Sequence, residues 1–186
     1  MITEVKILNR KTIERYASGE EKCPFSDRQW HLVSIHGASS SLLTNRTEAA
    51  LKRMGMISGM SIEFWDMTDN PEVLVTMKKE YPDYVMFDLG HAEKILGFLN
   101  EIKDEDGERL LICQCDAGMS RSMAVGEFAC EFNELNYKDF AKDNRKITSN
   151  PLVLKLLREK SGIGGQKAFM TAEEIKETKV AKVSEY

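Results

Sequence analysis

Leu110, Leu111 and Ile112 are apolar at consecutive positions, so neither face of this short run can be turned to water. Strict alternation would mark a strand with one wet face. A continuous run marks a strand covered on both sides, as in parallel sheets. Beyond Arg121, the positions Met123, Ala124, Phe128, Cys130, Phe132 and Leu135 form a mostly apolar helical pattern, expected of a deeply packed helix. Between the two lie residues 115–122, which read Cys115-Asp116-Ala117-Gly118-Met119-Ser120-Arg121-Ser122. A buried strand, a short glycine-containing loop and a buried helix make the unit from which open α/β sheets are built, with ligands received at the carboxyl ends of the strands.

The remaining chain alternates in the same way. Strands are expected at residues 5–8, 30–35 and 61–64, and helices at 12–17, 48–54 and 71–80, the last with Pro71 in its first turn. Gly55 is expected to end the second helix. Asp88 is the expected N-cap of a helix whose apolar face is Ala92, Ile95, Leu96, Leu99 and Ile102. The fold class read from this order is α/β, a central, mostly parallel sheet flanked by helices. A length of 186 residues with 42% hydrophobic content suits one well-buried domain, assigned to residues 1–161. Residues 162–186 turn to Gly, Lys and Glu without strong periodicity and read as a charged appendage, with one short helix at 172–179.

A net charge of −4 argues against a broad basic surface for extended nucleic acid or an anionic membrane. No apolar stretch approaches the roughly 18 residues needed to span a bilayer, and the first ten residues lack the apolar core of a secretion signal. A soluble, cytoplasmic protein is expected. The four cysteines, Cys23, Cys113, Cys115 and Cys130, are too few for a disulfide framework in a chain of this length, and no Cys/His cluster has the spacing of a zinc site. Cys113 is read as a core residue whose side chain diverges from that of Cys115. The histidines, His31, His36 and His91, are read as structural, and Trp30 and Trp65 as core aromatics, with ordering of the loop at Asp66 as the alternative role for Trp65.

The loop at 115–122 carries chemistry. Successive backbone N–H groups can wrap an oxyanion, and a helix starting near Ser120 aims its positive end at the same place. The Arg121 guanidinium adds a fork of donors matched to phosphate oxygens. That field favours the thiolate of Cys115, the form that attacks phosphorus. Cys and Arg six apart, with Gly at the third place and Ser on both sides of Arg, would arise by chance roughly once in ten thousand such chains.

These residues resemble the signature loop of the cysteine-dependent protein tyrosine phosphatase superfamily, in particular its small dual-specificity-like branch. The resemblance takes in the helix before the signature strand and the Asn150-Pro151 turn with the helix after it, covering roughly residues 30–160. It implies hydrolysis of phosphomonoesters, phosphotyrosine and also phosphoserine or phosphothreonine in proteins, through a cysteinyl-phosphate intermediate without metal or other cofactor. Cys115 would be the nucleophile. Arg121 and the backbone of Asp116, Ala117, Gly118, Met119 and Ser120 would hold the phosphoryl oxygens, and Ser122 would assist departure of the thiolate. The branch also carries a general-acid Asp on a loop after a strand. Asp66, which follows Ser61-Ile62-Glu63-Phe64-Trp65, fits best; Asp69, Asp83 and Asp88 are alternatives.

Two positions depart from the pattern. Gln114 stands where the family nearly always has His, and Asp116 puts an acid beside the nucleophile, with its side chain expected to point away from the cradle. Loops selective for inositol lipids tend to carry Lys there, so such lipids are not expected. Two other functions fit the same loop: a module that binds phosphorylated ligands without turnover, and a phosphatase acting on nucleotides or RNA 5′ ends.

Overall fold

The computed structural model describes residues 1–37, 41–67, 70–144 and 148–163. Among them are the strands β1 (Ile2–Asn9), β2 (Trp30–His36), β3 (Met56–Glu63) and β4 (Arg109–Cys115), all parallel, in the order β1-β4-β2-β3. The helices are α1 (Arg10–Ser18), α2 (Asn45–Lys52), α3 (Pro71–Glu80), α4 (Leu89–Lys103), α5 (Ser120–Phe132), α6 (Tyr137–Asp143) and α7 (Pro151–Ser161). The expected α/β architecture is thus the observed one.

The continuous apolar run lies on β4, an inner strand between β1 and β2. Its side chains feed two cores. Leu111, Cys113 and Cys115 face a core completed by Ile95, Leu99, Phe128, Val153 and Leu157 of α4, α5 and α7. Leu110 and Ile112 face the other, with Ile13, Tyr16, Trp30 and Leu51 beneath α1 and α2. Cys113 and Cys115 therefore do not diverge. Strand side chains alternate with a period of two, which sends residues two apart to the same face.

Helix ends follow local chemistry. Asn9 caps α1 by accepting from Thr12 N at 2.8 Å, and Gly19 closes it in the left-handed region at φ 80°. Asp88 caps α4 by accepting from His91 N at 2.9 Å. Residues 121–130 of α5 are all buried, including the polar Arg121, Ser122 and Glu127, each of which has a partner. A Cβ at Gly126 would lie 2.5 Å from Ile7 Cδ1 and 3.3 Å from Val5 Cγ1, so α5 packs closely on β1 and a larger residue there would displace the Ile7 side chain.

Some boundaries differ from the sequence reading. β3 begins at Met56, five residues before the expected start, because β2 supplies a ladder to Ser58, Gly59 and Met60 that their weak strand propensity does not announce. α2 ends at Lys52, before Gly55. α6 was not expected; capped by Asn136, it buries only Phe140. The reading of residues 162–186 as an appendage, with a helix at 172–179, lies outside the described residues beyond position 163. No helix among the described residues is long and apolar enough to cross a membrane.

Candidate active site

In an all-parallel sheet every carboxyl end lies on one edge, and that edge gathers the segments after Asn9, His36, Glu63 and Cys115. The loop leaving β4 turns at Gly118, whose φ is 64° and whose N–H donates to Cys115 O at 3.2 Å. Its near side touches the backbone after β1. A Cβ at position 118 would stand 2.6 Å from Asn9 N and 2.7 Å from Leu8 C, so the loop can only be this tight with glycine there. Arg10 N donates to Asp116 O at 3.3 Å and ties the same two segments together.

Cys115 is buried at the end of β4, with Sγ 3.1 Å from Ser122 Oγ in the first turn of α5. The Ser122 hydroxyl also lies 3.3 Å from Met119 O, so its single proton is shared between sulfur and carbonyl. This is the placement that stabilises a sulfur carrying negative charge. Behind Cys115, Ser34 Oγ donates to Gln114 Oε1 at 2.7 Å, an uncharged buried pair set by the register that aligns β2 with β4. Gln114 thus makes a neutral contact that holds the strand end.

Arg121 is 7% exposed and its guanidinium is anchored at two nitrogens. Nη1 donates to Phe64 O at 2.9 Å and Nη2 to Asp116 Oδ2 at 2.7 Å. Nε is buried without a hydrogen-bond partner. A buried N–H of a charged group costs free energy while unpaired, which makes it the donor left for an arriving oxygen. The Asp116 side chain does not point away as expected: with its carboxylate two-fifths exposed at the rim, it turns back on Arg121, to which it is ion-paired at 2.7 Å.

Asp66, the expected acid, is held against this loop. Ser120 Oγ and Asn150 Nδ2 both donate to Asp66 Oδ1, each at 2.7 Å. Ser120 is not the helix cap its position suggests; α5 begins without a side-chain cap, and the hydroxyl is spent on Asp66. Asn150 does more. Its Nδ2 also reaches Met67 O at 2.8 Å, its Oδ1 caps α7 through Val153 N at 3.0 Å, and its own N–H donates to Ser120 O at 3.0 Å. Ser149 beside it donates to Glu127, and Arg158 of α7 pairs with Glu127 and Glu131 of α5, so the Asn150 turn is fixed from both sides. Burial pushes the Glu127 carboxyl up from its ordinary value.

Trp65 is only partly buried and so is not the core aromatic expected of it; it orders the loop at Asp66, its alternative role, by a means the sequence does not display. Its ring stacks on Tyr84 at 3.8 Å and 4°, Tyr84 stacks on Tyr81 at 4.8 Å, and Trp65 N donates to Val85 O at 2.8 Å. The feet of the segment bearing α3 are thereby joined. A Cβ at Gly37 would lie 3.6 Å from Trp65 Cδ2 and 3.7 Å from Arg121 Nη1, so indole and guanidinium both close on the backbone after β2.

Of the alternative acids, Asp88 is engaged as the cap of α4, where its backbone and side-chain bonds with His91 hold its carboxyl below the ordinary value although burial opposes them. Asp83 lies in the turn after α3, away from these contacts, and Asp69 is outside the described residues. Asn150, Ser120 as an anchor, and Tyr84 were missed as site residues. The Asn-Pro step at a helix start was the one available signal for the first. Among the described residues no group of three or more His, Cys, Asp or Glu side chains is arranged to hold a metal ion.

Compared with protein-family models, with curated proteins and with solved structures, the chain matches none.

Proposed function

We propose that this protein is a cysteine-dependent phosphatase that hydrolyses phosphomonoesters, with phosphotyrosine and also phosphoserine or phosphothreonine in proteins as the substrate class. The observation that carries the reading is the convergence, at one sheet edge, of a cysteine sulfur 3.1 Å from a serine hydroxyl, a buried arginine with an unpartnered Nε, and an aspartate tied to the same loop through Ser120.

In the first step the Cys115 thiolate attacks phosphorus, an S–P bond forms and the bond from phosphorus to the ester oxygen breaks, while the protonated Asp66 gives its proton to that leaving oxygen. Arg121 and the loop's N–H groups hold the equatorial oxygens, whose charge grows in the transition state. In the second step water attacks phosphorus, Asp66 takes its proton, and the S–P bond breaks to release inorganic phosphate. Ser122 donates to the sulfur as it regains its charge. No step passes through a metal.

The test is turnover of p-nitrophenyl phosphate in EDTA by the wild type, Cys115→Ser and Arg121→Ala. Turnover is expected for the wild type alone. Activity that persists in either variant overturns the mechanism, and saturable binding of phosphopeptide or tungstate without release of phosphate from any substrate replaces it with a binding module.

A further inference from the structure

The Arg121 guanidinium carries one positive charge, and in the ligand-free site that charge is already matched by Asp116 at 2.7 Å. The two side chains differ sharply in exposure: 8% for Arg121 and 41% for Asp116. The cation is at the bottom of the site and the anion on its rim, where an incoming ligand's neighbouring groups must pass. Yet the unpartnered, buried Nε of Arg121 still calls for an oxyanion. A phosphate therefore enters a site with a buried donor in its floor and the exposed Asp116 carboxylate at its mouth.

We propose that Asp116 is the specificity-determining residue of this site, selecting phosphorylated protein segments that carry a basic residue next to the phosphorylated one and disfavouring those with acidic flanks. This rests on the phosphatase reading for the nature of the anion but not on turnover. When phosphate takes the guanidinium, Asp116 shares the counter-charge it had in Arg121, and a Lys or Arg of the ligand restores it. Screening confines the effect to groups within about 8–10 Å at physiological salt, which is the reach of the residues immediately flanking the phosphorylated one.

The experiment uses two phosphotyrosine peptides identical except for one flanking residue, Lys or Glu. Their affinities for the full chain carrying Cys115→Ser are measured by calorimetry, with and without Asp116→Asn. Asn keeps an acceptor for Arg121 Nη2 and removes only the charge. The Lys peptide is expected to bind about 10-fold more tightly than the Glu peptide, the ratio falling below about 3 in Asp116→Asn and shrinking as salt is raised. Because Asp116 is at the rim, the Asn variant is expected to fold, and the salt titration of the Cys115→Ser protein supplies a second, independent readout.

A ratio near one, or a preference that survives Asp116→Asn unchanged, overturns the proposal while leaving the phosphatase reading intact if tungstate binds and p-nitrophenyl phosphate is turned over. If neither peptide nor tungstate binds, both fall. If the peptides bind with the expected ratio but no substrate is hydrolysed by the wild type, the selectivity stands and the phosphatase reading fails.

Discussion

Ser120 and Asp66 are 54 residues apart in the chain, yet the Ser120 hydroxyl donates to Asp66 Oδ1 at 2.7 Å. One residue opens the helix after the cysteine loop and the other lies in the segment after β3, so this bond holds a carboxylate against the cysteine loop, where the proposed mechanism needs an acid. Such an acid is worth most where the leaving group is poor. Asp66→Asn is expected to lower kcat by about 10²–10³ on phenyl phosphate and far less on p-nitrophenyl phosphate, whose leaving group needs little help. Equal losses on the two substrates would mean that Asp66 only shapes the loop.

Asn150 ties three segments together, and its removal should be felt twice. Asn150→Ala deletes the α7 cap and leaves Met67 O without its Nδ2 donor, a combined cost of about 2–4 kcal/mol by urea unfolding. Asn150→Asp keeps an acceptor for Val153 N but sets a carboxylate against Asp66. It is expected to recover part of the stability and none of the activity. Recovery of both together would show that the contact with Asp66 is incidental.

Gly118 is where the backbone permits no side chain. Gly118→Ala meets backbone atoms at 2.6 and 2.7 Å and a positive φ, so the loop must shift, at about 1–3 kcal/mol and with loss of tungstate binding. Gly97, inside α4 with open space around it, is the control. Gly97→Ala should raise stability by about 0.5–1 kcal/mol and leave binding untouched.

The cysteines should separate by reactivity. Burial raises the thiols of Cys23 and Cys113 and pushes that of Cys130 up to about 12, so these three remain protonated near neutrality. Iodoacetate at about pH 6.5 is expected to label Cys115 first, with vanadate protecting it. Mass spectrometry of the alkylated peptides decides the order, and uniform labelling in folded protein would contradict an assembled cradle.

His31 provides a pH dependence remote from the site. It is fully buried on β2, with Nδ1 2.8 Å from Ser58 Oγ and Nε2 3.3 Å from Glu105 Oε2. Burial, the largest influence, holds its ionisation below 6.5 although Glu105 pulls the other way. The unfolded chain then binds the proton first as pH falls, so stability contributed by the neutral ring is present above 6.5 and is lost as pH falls through the folded value. Urea midpoints should decline over that range in the wild type and decline less in His31→Gln.

The consecutive apolar residues 110–112 announced an inner strand, and the helix at 71–80 and the Asp88 cap emerged where the sequence placed them, because each depends on neighbours within one or two turns of chain. β3 was shortened in the reading since its first half, Ser58-Gly59-Met60, is a strand only by virtue of β2 beside it. α6 went unseen because a helix with one buried residue leaves almost no periodicity.

For the candidate site, Cys115, Gly118, Arg121 and Ser122 were legible as one group because they lie within eight consecutive residues of a single loop and helix start. What lay beyond the sequence was every relationship across the sheet edge: Ser120 bonded to Asp66 instead of capping α5, Asn150 holding Asp66 and Met67, Tyr84 stacked on Trp65, and Asp116 turned back on Arg121. A side chain with several acceptors in range chooses among them by geometry and desolvation, and those are known only once the parallel sheet has brought the four carboxyl ends together.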